Sequence, residues 1–248
     1  MKVSIITVSY NAEGTIADTV NSVLAQDYDN IEYIIIDGAS TDKTLDILER
    51  FNQEKFILVS ESDKGLYDAM NKGIQNATGD LIGILNADDI YANNSVISKV
   101  VSKVKETNVD CLYSDLKYVK EDLKTTVRNW VSGDYVSGAF KKGWMPPHPT
   151  FFVKRKCYEK FGVFDLQFRT SADYELMLRF IHKEELSVAY LPETTILMRV
   201  GGQSNASIQN RIKANKEDRL AWKVNGLKPG SLTFIRKPLS KLKQFVKK

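Results

Sequence analysis

The sequence predicts an α/β protein in which a mostly parallel sheet carries helices on both faces. Four apolar, β-branched runs alternate with segments of helical periodicity over the first 110 residues, which is the pattern of repeated β-α units. These runs are almost continuously apolar, as expected of strands that are covered on both sides. No Pro/Gly/Ser-rich linker interrupts the 248-residue chain before its last quarter, so we expect one main domain.

Each of the four predicted strands is followed by a helix with one apolar face. The strands are the segments KVSIITVS, EYIIID, FILVS and DLIGILNA. The residues that define the four helices by their spacing are, in chain order, Ile16, Val20, Val23 and Leu24, then Leu45, Leu48 and Phe51, then the stretch LYDAMNKGIQNA, then Val96, Ile97, Val100, Val101 and Val104. A further helix is predicted over residues 206–225.

The composition is that of an ordinary globular protein, with 43% hydrophobic and 27% charged residues. Cys111 and Cys157 fall in a predicted strand and a predicted helix, without the close spacing of a metal or redox motif, which indicates reduced structural thiols. The N-terminal apolar run is too short for a signal peptide. No segment approaches the roughly 18 apolar residues of a membrane-spanning helix. We therefore expect a cytoplasmic protein.

The charge is unevenly distributed along the chain. Residues 211–248 hold 12 Lys and Arg against two acidic residues, whereas the first 210 residues hold 23 basic and 29 acidic ones. An acidic body argues against a nucleic-acid partner, because basic residues would line such a binding face. The tail over residues 226–248 has the pattern of a helix that lies in an anionic membrane interface, and a solvated, frayed basic end is the alternative. Its apolar residues at helical spacing are Leu239, Leu242, Phe245 and Val246.

All four predicted strands end in polar or acidic side chains, in the segments TVSYN, DGASTD, SESDKG and NADD. The carboxyl ends of parallel strands meet at one edge of the sheet, where open α/β sheets bind their ligands. For NADD alone, a turn in which Asp89, Asn93 or Asn94 caps the next helix is the simpler interpretation. Four such ends together predict a crevice lined with hydroxyls, amides, a lysine and carboxylates, and hence a binding site.

The crevice has no glycine-rich phosphate loop, since neither GxGxxG nor GxxxxGKS/T follows any predicted strand. A diphosphate would therefore have to be neutralised by a divalent cation, Mg²⁺ or Mn²⁺, that bridges its oxygens to carboxylates of the protein. Asp37, at the end of the second strand, could accept hydrogen bonds from a base or a ribose.

The segment VSIITVSYNAEGTIADTVNSVLAQDYDNIEYIIIDGASTDKT, followed by NADD, resembles the N-terminal half of the inverting nucleotide-sugar glycosyltransferases of family 2. The later segment HPTFFVKRKCYEKFGVFDLQFRTSADYELMLRF is similar to the acceptor half of that family. The resemblance implies a GT-A fold, with a Rossmann-like, mostly parallel sheet, over residues 1–205. Residues 1–110 would bind the nucleotide sugar and residues 111–205 the acceptor, followed by a C-terminal helix and basic tail over residues 206–248.

The resemblance gives the strand ends individual roles in donor binding. It implies that Thr7, Ser9 and Tyr10 hold the base and ribose, that Asp37 recognises the base, and that Lys64 lies near the base or diphosphate.

The stretch Asn86-Ala87-Asp88 matches the DXD motif of the family, so Asp88 is expected to bind Mn²⁺ or Mg²⁺ beside the diphosphate. The sequence departs from the motif at Asn86, whose amide can bond the ribose but contributes no charge. Metal binding would then rest on Asp88, with help from Asp89 or from the diphosphate itself.

The resemblance assigns the catalytic base to Asp173, which would take the proton of the acceptor hydroxyl. Sequence position alone favours a helix cap, because Asp173 begins a predicted helix, and Ala172 stands where the family usually has a glutamate. His148, held between prolines, could touch the diphosphate or the metal, whereas His182 is expected to be structural. A loop over residues 198–205, hinged at its paired glycines, is expected to close over the donor, with a plain connecting turn as the alternative.

The resemblance implies the transfer of a sugar from a nucleotide diphosphate donor to a hydroxyl of a lipid-linked or saccharide acceptor in cell-surface polysaccharide synthesis. UDP is the default nucleotide, because the family mostly uses it. The enzyme would act in the cytoplasm or peripherally at the inner face of the cell membrane. A sugar-1-phosphate nucleotidyltransferase is disfavoured, since SYNAEGT has one glycine and no basic residue. A non-catalytic module that binds a nucleotide sugar or scaffolds an assembly at the membrane remains the alternative.

Overall fold

The computed structural model of the chain describes residues 1–201 and 208–242. Its elements in chain order are β1 (Val3–Ser9), α1 (Ile16–Leu24), β2 (Ile31–Asp37), α2 (Thr44–Leu48), β3 (Ile57–Ser60), α3 (Leu66–Asn76), β4 (Leu81–Asn86), β5 (Asp89–Tyr91), α4 (Val96–Thr107), β6 (Cys111–Val119), β7 (Thr126–Trp130), β8 (Phe152–Lys154), α5 (Arg155–Phe161), α6 (Ala172–Met177), β9 (Val188–Arg199), α7 (Ile208–Val224) and α8 (Thr233–Leu242). The four predicted β-α units are all present.

The strands form one sheet in the order β3-β2-β1-β4-β8-β6-β9-β5, and β7 pairs with β6 beside this path. β3, β2, β1 and β4 are mutually parallel, as predicted. β8 is antiparallel to both β4 and β6, β9 runs parallel to β6, and β5 runs antiparallel to β9. The sheet is therefore parallel in its first half and mixed in its second.

Side chains of the sheet alternate between two apolar layers, one on each face. Along β1, Val3 and Ile5 belong to one layer, whereas Ile6 and Val8 belong to the other. The predicted apolar faces of α1 and α4 are buried in the first layer, except for Leu24 at the end of α1. Residues of α3, α5 and α6 complete the second layer. Helices thus cover both faces, which confirms the predicted architecture.

β3 departs from the prediction that the first four strands are covered on both sides. It lies at the edge of the sheet and pairs with β2. Ile57 is 47% exposed, so this edge strand is only partly covered. Apolar character alone does not distinguish such an edge strand from a central one.

The C-terminal helices pack on the body of the protein. α7, which corresponds to the helix predicted over residues 206–225, buries Ala221 and Trp222 in the second apolar layer. The Trp222 indole donates a hydrogen bond of 2.8 Å to the Tyr174 hydroxyl on α6. Cys111 and Cys157 are buried free thiols, as predicted. Among the described residues, no helix combines the length and apolar character needed to span a bilayer.

Candidate active site

The Asp37 carboxylate, at the end of β2, is fully buried and binds the ends of the neighbouring strands together. It accepts hydrogen bonds from the hydroxyls of Ser9 at 3.0 Å, Ser40 at 2.5 Å and Ser60 at 2.9 Å. The Ser40 backbone N–H donates a fourth bond of 2.9 Å. Asp37 therefore connects the C-terminal ends of β1, β2 and β3 through hydrogen bonds.

The other predicted donor-binding residues differ in their surroundings. Thr7 is buried within β1, and its hydroxyl accepts a hydrogen bond of 3.0 Å from Tyr33. Tyr10 lies just beyond the strand and is 63% exposed. Lys64 is exposed two residues before α3, and its backbone N–H bonds to Asp68. Of the predicted donor-binding residues, Ser9 and Asp37 are hydrogen-bonded to each other. The side chains of Tyr10 and Lys64 are exposed to solvent.

The loops after β1 and β2 are also joined by hydrogen bonds. The Asn11 amide oxygen accepts from the Thr41 N–H at 2.9 Å, and the Asn11 N–H donates to the Ser40 hydroxyl at 2.8 Å. Asn11 and Ala39 both adopt left-handed backbone conformations, at φ 49° and 59°. Alanine rarely adopts this conformation. The surrounding hydrogen bonds hold this strained turn in place.

The residues after β4 form an oxygen-rich turn. The Asn86 side-chain NH₂ donates to Asp89 Oδ2 at 3.4 Å, and the Thr19 hydroxyl bonds the carbonyls of Ala87 and Asp89 at 3.0 and 2.8 Å. Two buried oxygens, Asn86 Oδ1 and Asp89 Oδ1, have no hydrogen-bond partner among the described residues. Such an oxygen is costly to bury alone, so this turn is suited to receive a cation or a donor group.

The two adjacent carboxylates are held in an environment that opposes their charge. Burial raises the pKa of Asp88, while the nearby Arg199 partly opposes the shift. Complete burial raises the pKa of Asp89 well above its usual range, and the negative charge of Asp88 adds to this effect. Two neighbouring carboxylates are both ionised at low cost only when a cation lies close to them.

The donor atoms of this turn fit a hard divalent cation. Asp88, Asp89 and Asn86 offer carboxylate and amide oxygens, which Mg²⁺ and Mn²⁺ prefer. No group of three or more His, Cys, Asp or Glu side chains with metal-binding geometry occurs in the described part of the chain. The remaining ligands would therefore come from a diphosphate or from water, as is usual for Mg²⁺ sites built around phosphates.

Arg199, the last residue of β9, connects the turn to the rest of the protein. Its buried guanidinium donates to the Asp88 carbonyl at 2.9 Å and forms a salt bridge with Asp18 of α1. No local sequence pattern marks Arg199 as a site residue, although it lies inside the predicted loop over residues 198–205. Residues 202–205 of that loop lie outside the described residues.

Asp173 lies in the first turn of α6, half-buried between the buried residues Ala172 and Tyr174. The Tyr67 hydroxyl of α3 donates to Asp173 Oδ1 at 3.1 Å. Tyr67 and His148 each stack on Phe164, with ring centroids 5.5 and 5.7 Å apart. Burial lowers the pKa of His148, and the Asp173 charge partly opposes this shift. His148 is therefore a neutral imidazole beside Asp173 at pH 7.

The phenol of Tyr118, on β6, is influenced by charges from both the turn after β4 and the first turn of α6. Burial raises the pKa of the Tyr118 phenol, and the charges of Asp89 and Asp173 both raise it further, against the opposing effect of Arg128. The Arg128 guanidinium lies 4.5 Å from the centre of the Tyr118 ring. A single phenol thus lies within electrostatic reach of carboxylates that are 84 positions apart in the chain.

The Glu217 carboxylate of α7 holds the segment that leads into α6. It accepts hydrogen bonds from the backbone N–H groups of Thr170 at 2.8 Å, Ser171 at 2.9 Å and Arg169 at 3.2 Å, and from the Thr170 hydroxyl at 2.9 Å. These N–H groups belong to the segment just before α6, where a negative charge is also favoured by the helix dipole. Glu217 therefore fixes the turn from which Asp173 projects, a role that the sequence analysis did not identify.

Replacing Glu217 with Ala is expected to lower the free energy of unfolding by about 1–3 kcal/mol, because the N–H groups before α6 lose their acceptor. Equilibrium urea unfolding of the purified protein measures this change. The matched control is Lys216→Ala at the exposed neighbouring position, which should change stability by less than about 0.5 kcal/mol. Equal stability of the two variants would show that the Glu217 bonds contribute nothing.

His182 and Trp144 are partly buried and pack against aromatic rings. His182 lies between the rings of Phe140 and Trp222, at centroid distances of 6.0 and 5.5 Å, which fits the structural role predicted for it. Trp144 packs against Tyr135 at 5.3 Å and donates its indole N–H to the Ser132 carbonyl.

Comparison with known proteins identifies relatives along most of the chain. A model described as "Glycosyl transferase family 2" matches residues 4–170. A PGL/p-HBAD biosynthesis glycosyltransferase of Mycobacterium bovis is 29% identical over 214 residues, which cover 84% of this chain and 81% of the relative. An uncharacterised glycosyltransferase of Mycobacterium tuberculosis is 33% identical over 187 residues, which cover 71% of this chain and 68% of the relative.

Solved structures share the fold at low sequence identity. TarS residues 1–349 of S. aureus, in complex with UDP, has a TM-score of 0.65 at 18% identity, over 89% of this chain and 65% of that one. The mannosyltransferase PcManGT from Pyrobaculum calidifontis, in complex with GDP-Man and Mn²⁺, has a TM-score of 0.66 at 19% identity, over 99% of this chain and 69% of that one. The chain spans about two thirds of the length of each structure, and the predicted GT-A architecture is confirmed.

Proposed function

This chain belongs to glycosyl transferase family 2, and we propose that it is an inverting, metal-dependent hexosyltransferase that moves a sugar from a UDP-sugar to an acceptor hydroxyl. The observation that supports the proposal is the oxygen-rich turn after β4, where Asn86 Oδ1 and Asp89 Oδ1 are buried without a hydrogen-bond partner among the described residues. The charges of Asp89 and Asp173 also both act on the Tyr118 phenol. In this proposal one crevice offers a cation site on one side and a carboxylate base on the other. Residues 1–110 serve the donor, residues 111–205 serve the acceptor, and residues 206–248 form the C-terminal helix and tail.

The donor lies along the carboxyl edge of β1, β2 and β4 in this proposal. Thr7, Ser9, Tyr10 and Asp37 define the base and ribose end, and Lys64 lies near the base or diphosphate. Asp37 is already bonded to three serine hydroxyls. The polar groups at this end of the donor site are therefore in place before the base binds. Preorganised polar groups of this kind reduce the ordering cost of binding.

Asn86, Ala87 and Asp88 form the diphosphate end, with Asp88 as the metal ligand assisted by Asp89. Mn²⁺ or Mg²⁺ bound there would neutralise charge on the diphosphate as it leaves. The neutral His148 imidazole donates a hydrogen bond toward the same phosphates without adding charge. Arg199 bonds to the Asp88 carbonyl, and in this proposal that bond keeps the shape of the turn when the donor enters.

Asp173 accepts the proton of the acceptor hydroxyl as that oxygen attacks the anomeric carbon. The new C–O bond forms on the face opposite the diphosphate, the bond to the diphosphate oxygen breaks, and its electron pair leaves with the nucleoside diphosphate. The configuration at the anomeric carbon is therefore inverted. Tyr67 donates to one carboxylate oxygen of Asp173, which leaves the other oxygen to receive the proton.

The acceptor is a lipid-linked or saccharide hydroxyl in cell-surface polysaccharide synthesis, and the enzyme works in the cytoplasm, peripherally at the inner face of the cell membrane. The family match, the mycobacterial relative with a biosynthetic glycosyltransferase name and the UDP complex of the structural neighbour support this context. They leave the identity of the sugar to experiment.

A panel of UDP-sugars and GDP-sugars, screened by thermal shift with and without Mn²⁺, tests the proposal. A donor that binds the folded state raises its melting temperature, and we expect the shift to require the metal. The same donors are then assayed for release of nucleoside diphosphate with mixed saccharide acceptors. Binding without release in any combination would favour a non-catalytic nucleotide-sugar-binding module, and the absence of any thermal shift would contradict the proposed donor class.

A further inference from the structure

α8 is attached to the body of the protein along one face. Its Thr233 hydroxyl donates to the Lys141 carbonyl, and Lys237 forms a salt bridge of 2.7 Å with Asp218 of α7. Phe234 packs against the second apolar layer, with the Arg219 guanidinium 4.4 Å from its ring centre. These contacts lie at positions i, i+1 and i+4 of the helix, which share one side.

The opposite face of α8 presents three large apolar side chains to solvent. Leu232, Ile235 and Leu239 are 44%, 58% and 54% exposed. The Arg236 N–H donates to the Leu232 carbonyl at 2.9 Å, so Leu232 already lies on the first helical turn. The spacing i, i+3 and i+7 places all three on one stripe. We call these three residues the apolar stripe.

The solvent-exposed charged residues of α7, α8 and the turn between them, the segment that carries the apolar stripe, are predominantly positive. Both acidic residues of this segment, Glu217 and Asp218, are engaged inside the protein, with the turn before α6 and with Lys237. Several cations of α7, α8 and the turn between them are exposed to solvent. They are Lys213, Lys216, Arg219, Lys223, Lys228 and Arg236.

An apolar helix face bordered by cations matches one kind of surface closely. Leucine and isoleucine side chains enter the boundary between headgroups and acyl chains, while Lys and Arg remain at the level of the phosphates. Each cation near an anionic bilayer adds to the attraction. A second copy of the chain would instead bring the same cations together, so like charges would oppose that contact.

We propose that α8 is an interfacial helix that docks the protein on a bilayer containing anionic phospholipids, through Leu232, Ile235 and Leu239. Phe245 and Val246, which the sequence predicted on the membrane side of the tail, lie outside the described residues. The docking residues are distinct from those assigned to the proposed crevice, and docking does not depend on the proposed sugar transfer. It would bring that crevice to a membrane on which a lipid-linked acceptor is held.

Co-sedimentation of the full chain with vesicles tests this inference. One set of vesicles contains phosphatidylcholine alone, and the other contains a mixture of phosphatidylcholine and phosphatidylglycerol. Both are used at the same total lipid concentration. We expect binding to the phosphatidylglycerol vesicles to be at least about tenfold tighter, and to weaken with added NaCl because surface charges are screened. Equal affinity for the two vesicle types would overturn the electrostatic part of the proposal.

The triple variant Leu232→Ser/Ile235→Ser/Leu239→Ser is expected to bind phosphatidylglycerol vesicles at least about tenfold more weakly, because the apolar contribution is lost. The matched control is Leu24→Ser/Ile57→Ser/Leu166→Ser, which removes three comparably exposed apolar side chains elsewhere and should bind like the parent. Binding of the triple α8 variant at parental strength would overturn the proposal.

Two further measurements separate the outcomes. Light scattering without vesicles shows whether the parent self-associates, and a dimer that disappears in the triple α8 variant would assign the stripe to a second copy instead. Urea unfolding of every variant checks that it is folded under the binding conditions, because the substituted side chains are only about half exposed. Release of nucleoside diphosphate with a water-soluble acceptor should be unchanged in the triple variant, so loss of docking and loss of the proposed function are distinguishable.

Discussion

Asp173→Asn is expected to lower kcat for sugar transfer by about 10²–10⁴-fold while donor affinity stays within about twofold, because the amide cannot accept the proton of the attacking hydroxyl. The substitution preserves shape, and the Tyr67 hydroxyl can still donate to the remaining carbonyl oxygen at the position of Oδ1. Initial-rate kinetics give kcat, and isothermal titration with the nucleotide sugar and Mn²⁺ gives the donor affinity.

Tyr67→Phe is the matched control for this first prediction. It removes the hydrogen bond to Asp173 but retains the ring that stacks on Phe164 and the carboxylate itself. We expect a smaller loss than for Asp173→Asn, because the base is still present and only its orientation is released. If Asp173→Asn transferred sugar at the parental rate, the assignment of the base to this residue would be wrong.

The second large effect is expected for Asp88→Asn, which should weaken Mn²⁺-dependent donor binding by about 100-fold or more. The carboxylate is the charged ligand that faces the diphosphate in the proposed site, and a metal contributes several kcal/mol of charge stabilisation there. Electron paramagnetic resonance of free Mn²⁺ in the presence of a nucleoside diphosphate measures metal binding directly, without reference to turnover.

Asn86→Asp provides a comparison in the opposite direction. It adds a carboxylate where Asn86 Oδ1 now lacks a hydrogen-bond partner among the described residues. We expect tighter Mn²⁺ binding, together with a lower melting temperature in the absence of metal because three carboxylates then repel one another. Unchanged Mn²⁺ affinity in both Asp88→Asn and Asn86→Asp would place the metal away from this turn.

The first half of the fold is predictable from sequence because its strands are long and apolar and its helices are strongly periodic. β5 and β8 are only three residues long, and they exist because partner strands satisfy their backbone groups. Such short strands carry too few residues to show a period. The mixed second half of the sheet therefore depends on tertiary pairing, which local patterns do not encode.

Some residues of the candidate site are likewise predictable from the sequence, and others are not. The strand-end acids Asp37 and Asp88 stand out locally, since polar clusters follow apolar runs, and the family resemblance adds Asp173. Arg199 and Glu217 act through partners that are 111 and 47 positions away in the chain. A single sequence gives no signal for such pairs, because neither residue departs from the ordinary pattern of a polar surface position.

The attachment of Glu217 to the turn before α6 limits how this enzyme can be recombined with its relatives. Transplanting only the proposed acceptor half, residues 111–205, into another family member would separate the turn before Asp173 from the Glu217 carboxylate that holds it. It would also separate Tyr174 from the Trp222 indole that bonds to it. A functional chimera should carry α7 together with the acceptor half. Exchange of substrate preference between homologues would then require two crossover points, one before β6 and one after α7.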